Sequence, residues 1–163
     1  MSKSEFTEVI NASKEKVWEV LFYQYGDIHV HNPGMIASHY MNNGTKGELN
    51  SKRHVNFSEK LWLDETITEV EEFKRVKIVA DDHNLPMMRD MSATYELKAI
   101  GNDKTELKMT SVATSSPGFM MYLMKGQLAK GLVQHLFGMK YYIETGKTLS
   151  KEKFSEVYKN YRK

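Results

Sequence analysis

Two hydrophobic periods divide the chain. "EFTEVIN" (5–11) reads as a short strand. Ser13 is placed to cap a helix, with Glu15 in its first turn. Val17, Val20, Leu21 and Tyr25 follow at helical spacing, and Pro33-Gly34 breaks the pattern. From about residue 36 to 114 the period becomes two, the signature of strands with one apolar and one wet face. "ELNSKRHVNF" places Leu49, Ser51, Arg53, Val55 and Phe57 on one face, and "LWLDETITEV" does the same for Leu61, Leu63, Glu65, Ile67 and Glu69. The linking "SEK" fits a hairpin. Pairing Phe57 with Leu61 sets Val55 opposite Leu63 and Arg53 opposite Glu65, with both apolar sets on one side.

"RVKIVAD" adds a strand. Met91, Ala93, Tyr95, Leu97 and Ala99 alternate with polar residues, as do Leu107, Met109, Ser111 and Ala113, and "GND" supplies the turn between these two runs. The pattern therefore predicts a meander of about six antiparallel strands, ended by Pro117-Gly118. A long helix is predicted over 118–146, with Met121, Met124, Leu128, Leu132, His135, Met139 and Ile143 along one side. Gln127, Lys130 and Gln134 fall on the other side, and Lys125 can snorkel out. The basic stretch 149–163 is read as an extension forming a short helix with a solvated charged face. The element order gives an α+β fold: a curved antiparallel sheet wrapped around a long C-terminal helix, with an internal cavity of the kind that binds small apolar molecules.

Composition narrows the chemistry. At 163 residues the chain is read as one domain, large enough to fold without a metal or disulfide. Cysteine is absent, which excludes disulfides, thiolate zinc sites and cysteine nucleophiles and fits a reducing, cytoplasmic location. The first residues lack an apolar signal segment, and no stretch approaches the roughly 20 apolar residues of an integral membrane segment. The net charge is +2 with acids and bases interspersed, which gives no nucleic-acid footprint. The 11 methionines supply flexible apolar side chains suited to core gaps or varied ligands.

Four stretches together resemble the START-like superfamily, also described as polyketide cyclase/dehydrase and lipid-transport or birch-pollen-allergen-like. They are "INASKEKVWEVL", "NPGMIASHY" with "GELNSKRHVNF", the Glu65 region of "LDETITEV", and "PGFMMYLMKGQLAKGLVQHLFGMKYYIETGK". "KRHVNF" is similar to an Arg-His-Cys run of bacterial members, with Val55 in place of the cysteine. The resemblance implies a helix-grip fold around a cavity for a hydrophobic small molecule. It leaves the chemistry open, since members include lipid carriers, hormone receptors, aromatase/cyclases, oxygenase domains and chaperone activators.

The expected lining is Arg53, Val55, Leu63, Glu65, Ile67, Tyr95, Met109, Leu128, Leu132, His135 and Met139. Arg53 and Glu65 need each other if both point inward, because a lone buried charge is costly. As a pair they hold the cavity floor or orient a polar group on the ligand. His135 lies on the apolar helix face, where it is either satisfied by a hydrogen bond or available for proton transfer. Tyr95 carries a hydroxyl on an inward aromatic body. "HVHNPGMIASHY" (29–40) holds three histidines, but they do not converge as zinc ligands must. The segment is read as a cavity rim with solvated or hydrogen-bonded imidazoles and no metal. There is no HExxH motif, phosphate-binding glycine loop or Gly-x-Ser-x-Gly elbow, and no cofactor is expected. Two alternatives to a binder remain: a cyclase- or dehydratase-type enzyme, and an interaction module similar to the chaperone activators. The oligomeric state stays open.

Overall fold

Strand β1 (Ser2–Ile10) lies antiparallel to β7 (Lys104–Ser115), so the first and last strands of the sheet are hydrogen-bonded neighbours in the computed structural model, which describes residues 1–162. Five more strands complete the sheet: β2 (Ala37–Tyr40), β3 (Lys52–Asn56), β4 (Trp62–Glu71), β5 (Arg75–His83) and β6 (Met88–Gly101). The order β1-β7-β6-β5-β4-β3-β2 is the expected six-strand meander with β1 added at its far edge. The seven strands form one open, curved antiparallel sheet.

The β3–β4 hairpin has the register that alternation requires: Val55 opposes Leu63, Arg53 opposes Glu65, and the Phe57 amide donates to the Leu61 carbonyl at 2.8 Å. Two expected inward residues of this region face solvent instead. Leu49 precedes β3 and is exposed. Glu69 lies just past a register shift in the β4–β5 pairing, which turns it outward to ion-pair with Arg75 and Lys77.

Between β1 and β2 the chain crosses from one sheet edge to the other. Ser13 caps α1 (Lys14–Trp18), its hydroxyl accepting from the Lys16 amide. The α-helix is shorter than the spacing implies. A π-helical turn over Glu19–Tyr23 follows, then a 3₁₀ segment over Tyr25–Val30. The widened turn lets Val20, Leu21 and Phe22 all point inward with Val17 and Trp18.

Helix α2 (Met120–Thr145) lies across the concave sheet face, and its two halves differ. Gln134 to Met139 form an unbroken buried run. In the first half, Tyr122 and Leu123 are exposed, as is Phe119 just before it, and a β-carbon placed on Gly126 or Gly131 would meet nothing within 4 Å. Close contact returns at Gly138, where an added β-carbon would lie 2.3 Å from the His31 carbonyl oxygen. Gln134, expected in solvent, is buried, and the outer side of the helix is covered by α3 (Phe154–Tyr161). This short C-terminal helix packs Phe154 and Tyr158 edge-on against Phe137, closing the outer side of α2. The tail is therefore part of the packing, and Arg162 ion-pairs with Glu8 of β1.

Candidate functional site

Where α2, β3, β6 and the 3₁₀ segment meet, a polar cluster is enclosed by apolar side chains. The Arg53 guanidinium bonds to Glu65 Oε2 through Nε at 2.7 Å and Nη2 at 2.5 Å, and donates through Nη1 to the Tyr25 carbonyl at 2.9 Å. Its carbon centre sits 4.0 Å from the centroid of the Tyr25 ring. The Tyr25 hydroxyl donates to the Glu65 carbonyl, so two opposed strand positions and the segment above them lock together. Burial disfavours the Arg53 charge, but Glu65 and the surrounding hydroxyls outweigh it and hold the guanidinium protonated.

Tyr95 of β6 reaches across to α2, its hydroxyl 2.8 Å from His135 Nε2. Burial pushes the Tyr95 phenol up, so it keeps its proton. Burial, with a smaller contribution from Arg53, lowers His135 to about 3, so the imidazole is neutral. A neutral imidazole has one donor and one acceptor nitrogen. With the phenol donating to Nε2, the ring proton sits on Nδ1; the opposite tautomer would strand the phenol hydrogen as well. Among the described residues, His135 Nδ1 is buried without a protein partner. The same holds for Nδ1 of His31, whose ring lies 6.1 Å from that of His135 at a 29° interplanar angle. Burial lowers His31 far below the usual histidine range, with His135 adding to the effect.

These groups line a cavity of about 10 Å³, space for roughly one water. Val20, Leu21, Ile28, Ile78 and Met139 provide its apolar wall, and Gln24 and Tyr25 the rest. The internal cavity is thus far smaller than a pocket for a drug-sized ligand, about 300 Å³ or more. Trp18, Phe22 and Tyr25 fill the grip from the α1 side. In a separate cluster Met88 and Met121 are buried together, with Leu85, Met91, Met124 and Leu128 packed around them.

Of the residues expected to line the cavity, Arg53, Tyr95, His135 and Met139 do so, and Glu65 stands behind Arg53. Ile67 and Met109 belong to the main core, with Leu132 packed against it. Val55 and Leu63 form a separate cluster with Ile28, while Leu128 joins the methionine cluster. The three histidines of 29–40 separate. His29 Nδ1 is 2.7 Å from Ser38 Oγ, His39 faces out on β2, and His31 is buried in the site. A rim reading therefore misses His31. The 3₁₀ geometry that turns it inward has no periodic hydrophobic signature, and its one legible signal is Ile28, three residues earlier and also buried. Among the described residues, no group of three or more His, Asp or Glu side chains is placed to hold a metal ion.

No protein-family model matches the sequence, and no curated protein matches it. Solved structures do match in shape. A START superfamily protein from Mycobacterium smegmatis superposes with a TM-score of 0.62 at 16% identity, over 83% of this chain and 94% of its own. The chain has the START-like fold. Truncated norcoclaurine synthase from Thalictrum flavum has the same START-like fold, with a TM-score of 0.69 at 12% identity over 88% of this chain and 94% of its own. A protein of the dynemicin biosynthetic locus superposes at 0.66 with 17% identity, over 91% of this chain and 49% of its own. At these identities the START-like likeness concerns the fold alone.

Proposed function

We propose that the protein binds a small, mostly apolar molecule in the centre of the grip. The observation that carries this reading is the pair of partnerless imidazole nitrogens on His31 and His135, enclosed with Arg53 and Tyr95 by apolar side chains. Buried polar atoms are rarely left unsatisfied, and two at one small cavity mark a place where a partner belongs. The START-like shape of the neighbours supports the reading. Affinity comes from apolar burial, about 25 cal/mol per Å² before binding costs. A molecule larger than water is accommodated by displacing the apolar side chains around the cavity, among them Met139, whose flexible thioether repacks readily.

Native mass spectrometry of the protein purified from cells, followed by denaturation, tests this. The expected result is a stoichiometric apolar molecule that is released on unfolding and is lost from a His31→Phe, His135→Phe double variant. A wild-type protein that copurifies with nothing and binds no member of an apolar small-molecule panel would defeat the reading.

A second reading rests on the Tyr95–His135 hydrogen bond, since a phenol and an imidazole in contact can relay a proton. It makes the same cavity the site of a cyclase- or dehydratase-type reaction, and one START-like neighbour is a synthase. Turnover of the copurified molecule, lost in Tyr95→Phe with binding retained, distinguishes it from simple binding.

A further inference from the structure

We propose that the bound molecule is electrically neutral and ends in a single oxygen acceptor, such as a ketone, ester or hydroxyl oxygen, held by His135 Nδ1–H. This deepens the small-molecule reading and rests on it. Three features of the site lead there.

Among the described residues, Arg53 is the one charged side chain that lines the cavity, and its charge is already matched by Glu65 at 2.5–2.7 Å. A carboxylate or phosphate on the ligand would bring a second negative charge to a largely buried site with one cation, leaving one charge uncompensated. An ammonium would find no free carboxylate, because Glu65 is held by Arg53. Charged ligand ends are therefore disfavoured in both signs.

The second feature is the direction of the hydrogen bonds. Tyr95 spends its proton on His135 Nε2, which makes the opposite nitrogen a donor without an acceptor. The matching ligand atom is an oxygen lone pair. The third is His31 Nδ1, also buried and partnerless beside that ring. As a neutral imidazole nitrogen it either donates to the same oxygen or accepts from a ligand hydroxyl, so an alcohol uses both rings and a ketone uses at least one. The cavity of about 10 Å³ is the size of that terminal group, and Val20, Leu21, Ile28, Ile78 and Met139 give the apolar body its first contacts.

The test compares four probes with the same chain length: decan-2-one, decanoate, decylammonium and decane. Binding to wild type, His135→Phe, His31→Phe and Tyr95→Phe is measured by calorimetry at about pH 7, where acid and amine are charged. Wild type is expected to bind decan-2-one about tenfold more tightly than decane, and more tightly than either ion. His135→Phe should abolish the ketone's advantage while decane still binds. Tyr95→Phe, which removes one hydroxyl and frees the tautomer, should shrink that advantage. Decanoate or decylammonium binding as tightly as the ketone overturns the proposal, as does a ketone advantage that survives both His135→Phe and Tyr95→Phe. Binding of decane and ketone with equal affinity to wild type overturns it too, and leaves the small-molecule reading standing. If none of the four binds, that broader reading loses its support and this one falls with it.

Discussion

Arg53 and Glu65 show how a single position can be strongly committed without favouring the fold in itself. Replacing Arg53 with Met leaves the Glu65 carboxylate without its cation. The expected loss is about 3 kcal/mol by urea unfolding, near the low end for a broken buried pair because Glu65 keeps some water contact. The Arg53→Met, Glu65→Leu double variant should regain most of it, since a well-packed apolar pair is often as stable as a buried ion pair. A double variant as unstable as the single one would contradict this.

The buried imidazoles give a second residue-scale prediction. His135 is lowered from an ordinary 6.5 to about 3 in the folded chain, and burial holds His31 well below the ordinary value. Below the ordinary value the unfolded chain takes up protons that the folded chain refuses. Stability from these groups is therefore present above about pH 6.5 and drains away as pH falls toward the folded values. Each histidine contributes a slope of about 1.4 kcal/mol per pH unit within that window. Between about pH 6 and pH 5 the carboxylates with lowered values, such as Glu144, are mostly ionised in both states, so the histidines dominate the slope. His135→Phe should reduce that slope by about one proton's worth; an unchanged slope would mean His135 is not buried neutral.

At the scale of elements, α2 is fastened where Gly138 meets the segment carrying His31. A β-carbon there would lie 2.3 Å from the His31 carbonyl oxygen and 2.7 Å from Pro33 Cδ. Gly138→Ala should cost about 1–3 kcal/mol and shift the His31 ring resonances, because segment 31–33 must retreat. Gly131→Ala enters open space on the same helix and should stabilise by up to about 1 kcal/mol. Thermal unfolding of the pair checks the contrast. The hairpin register of β3 and β4 was legible because two alternating runs and a short turn leave one solution that buries both apolar sets. The packed tail was not. The stretch reads as a short helix with a solvated charged face, but its Phe154, Val157, Tyr158 and Tyr161 close on Phe137, on the side of α2 that the long apolar stripe leaves outward.

Across the whole molecule, element order alone pointed to the helix grip, since a one-faced meander followed by a long apolar-striped helix has few ways to cover itself. The site was half legible. Arg53, Glu65, Tyr95 and His135 follow from strand and helix periodicity. His31 does not, because an irregular helical crossing has no period to read. The size of the cavity was hidden as well, since it depends on how Trp18, Phe22 and the methionines fill volume rather than on which way they face.

The uneven seating of α2 has a kinetic consequence. Its first half carries Gly126 and Gly131, each about 1 kcal/mol poorer than alanine in a helix, and exposes Tyr122 and Leu123. Its second half is clamped between sheet and α3. Backbone amides of Lys125–Gly131 should therefore trade hydrogen for deuterium through brief local openings, orders of magnitude faster than those of Leu136–Lys140, which wait for global unfolding. Uniform protection along the helix would show that it opens as one unit. Graded protection would mean that the wall beside Met121 parts on its own, while the floor beneath it stays folded.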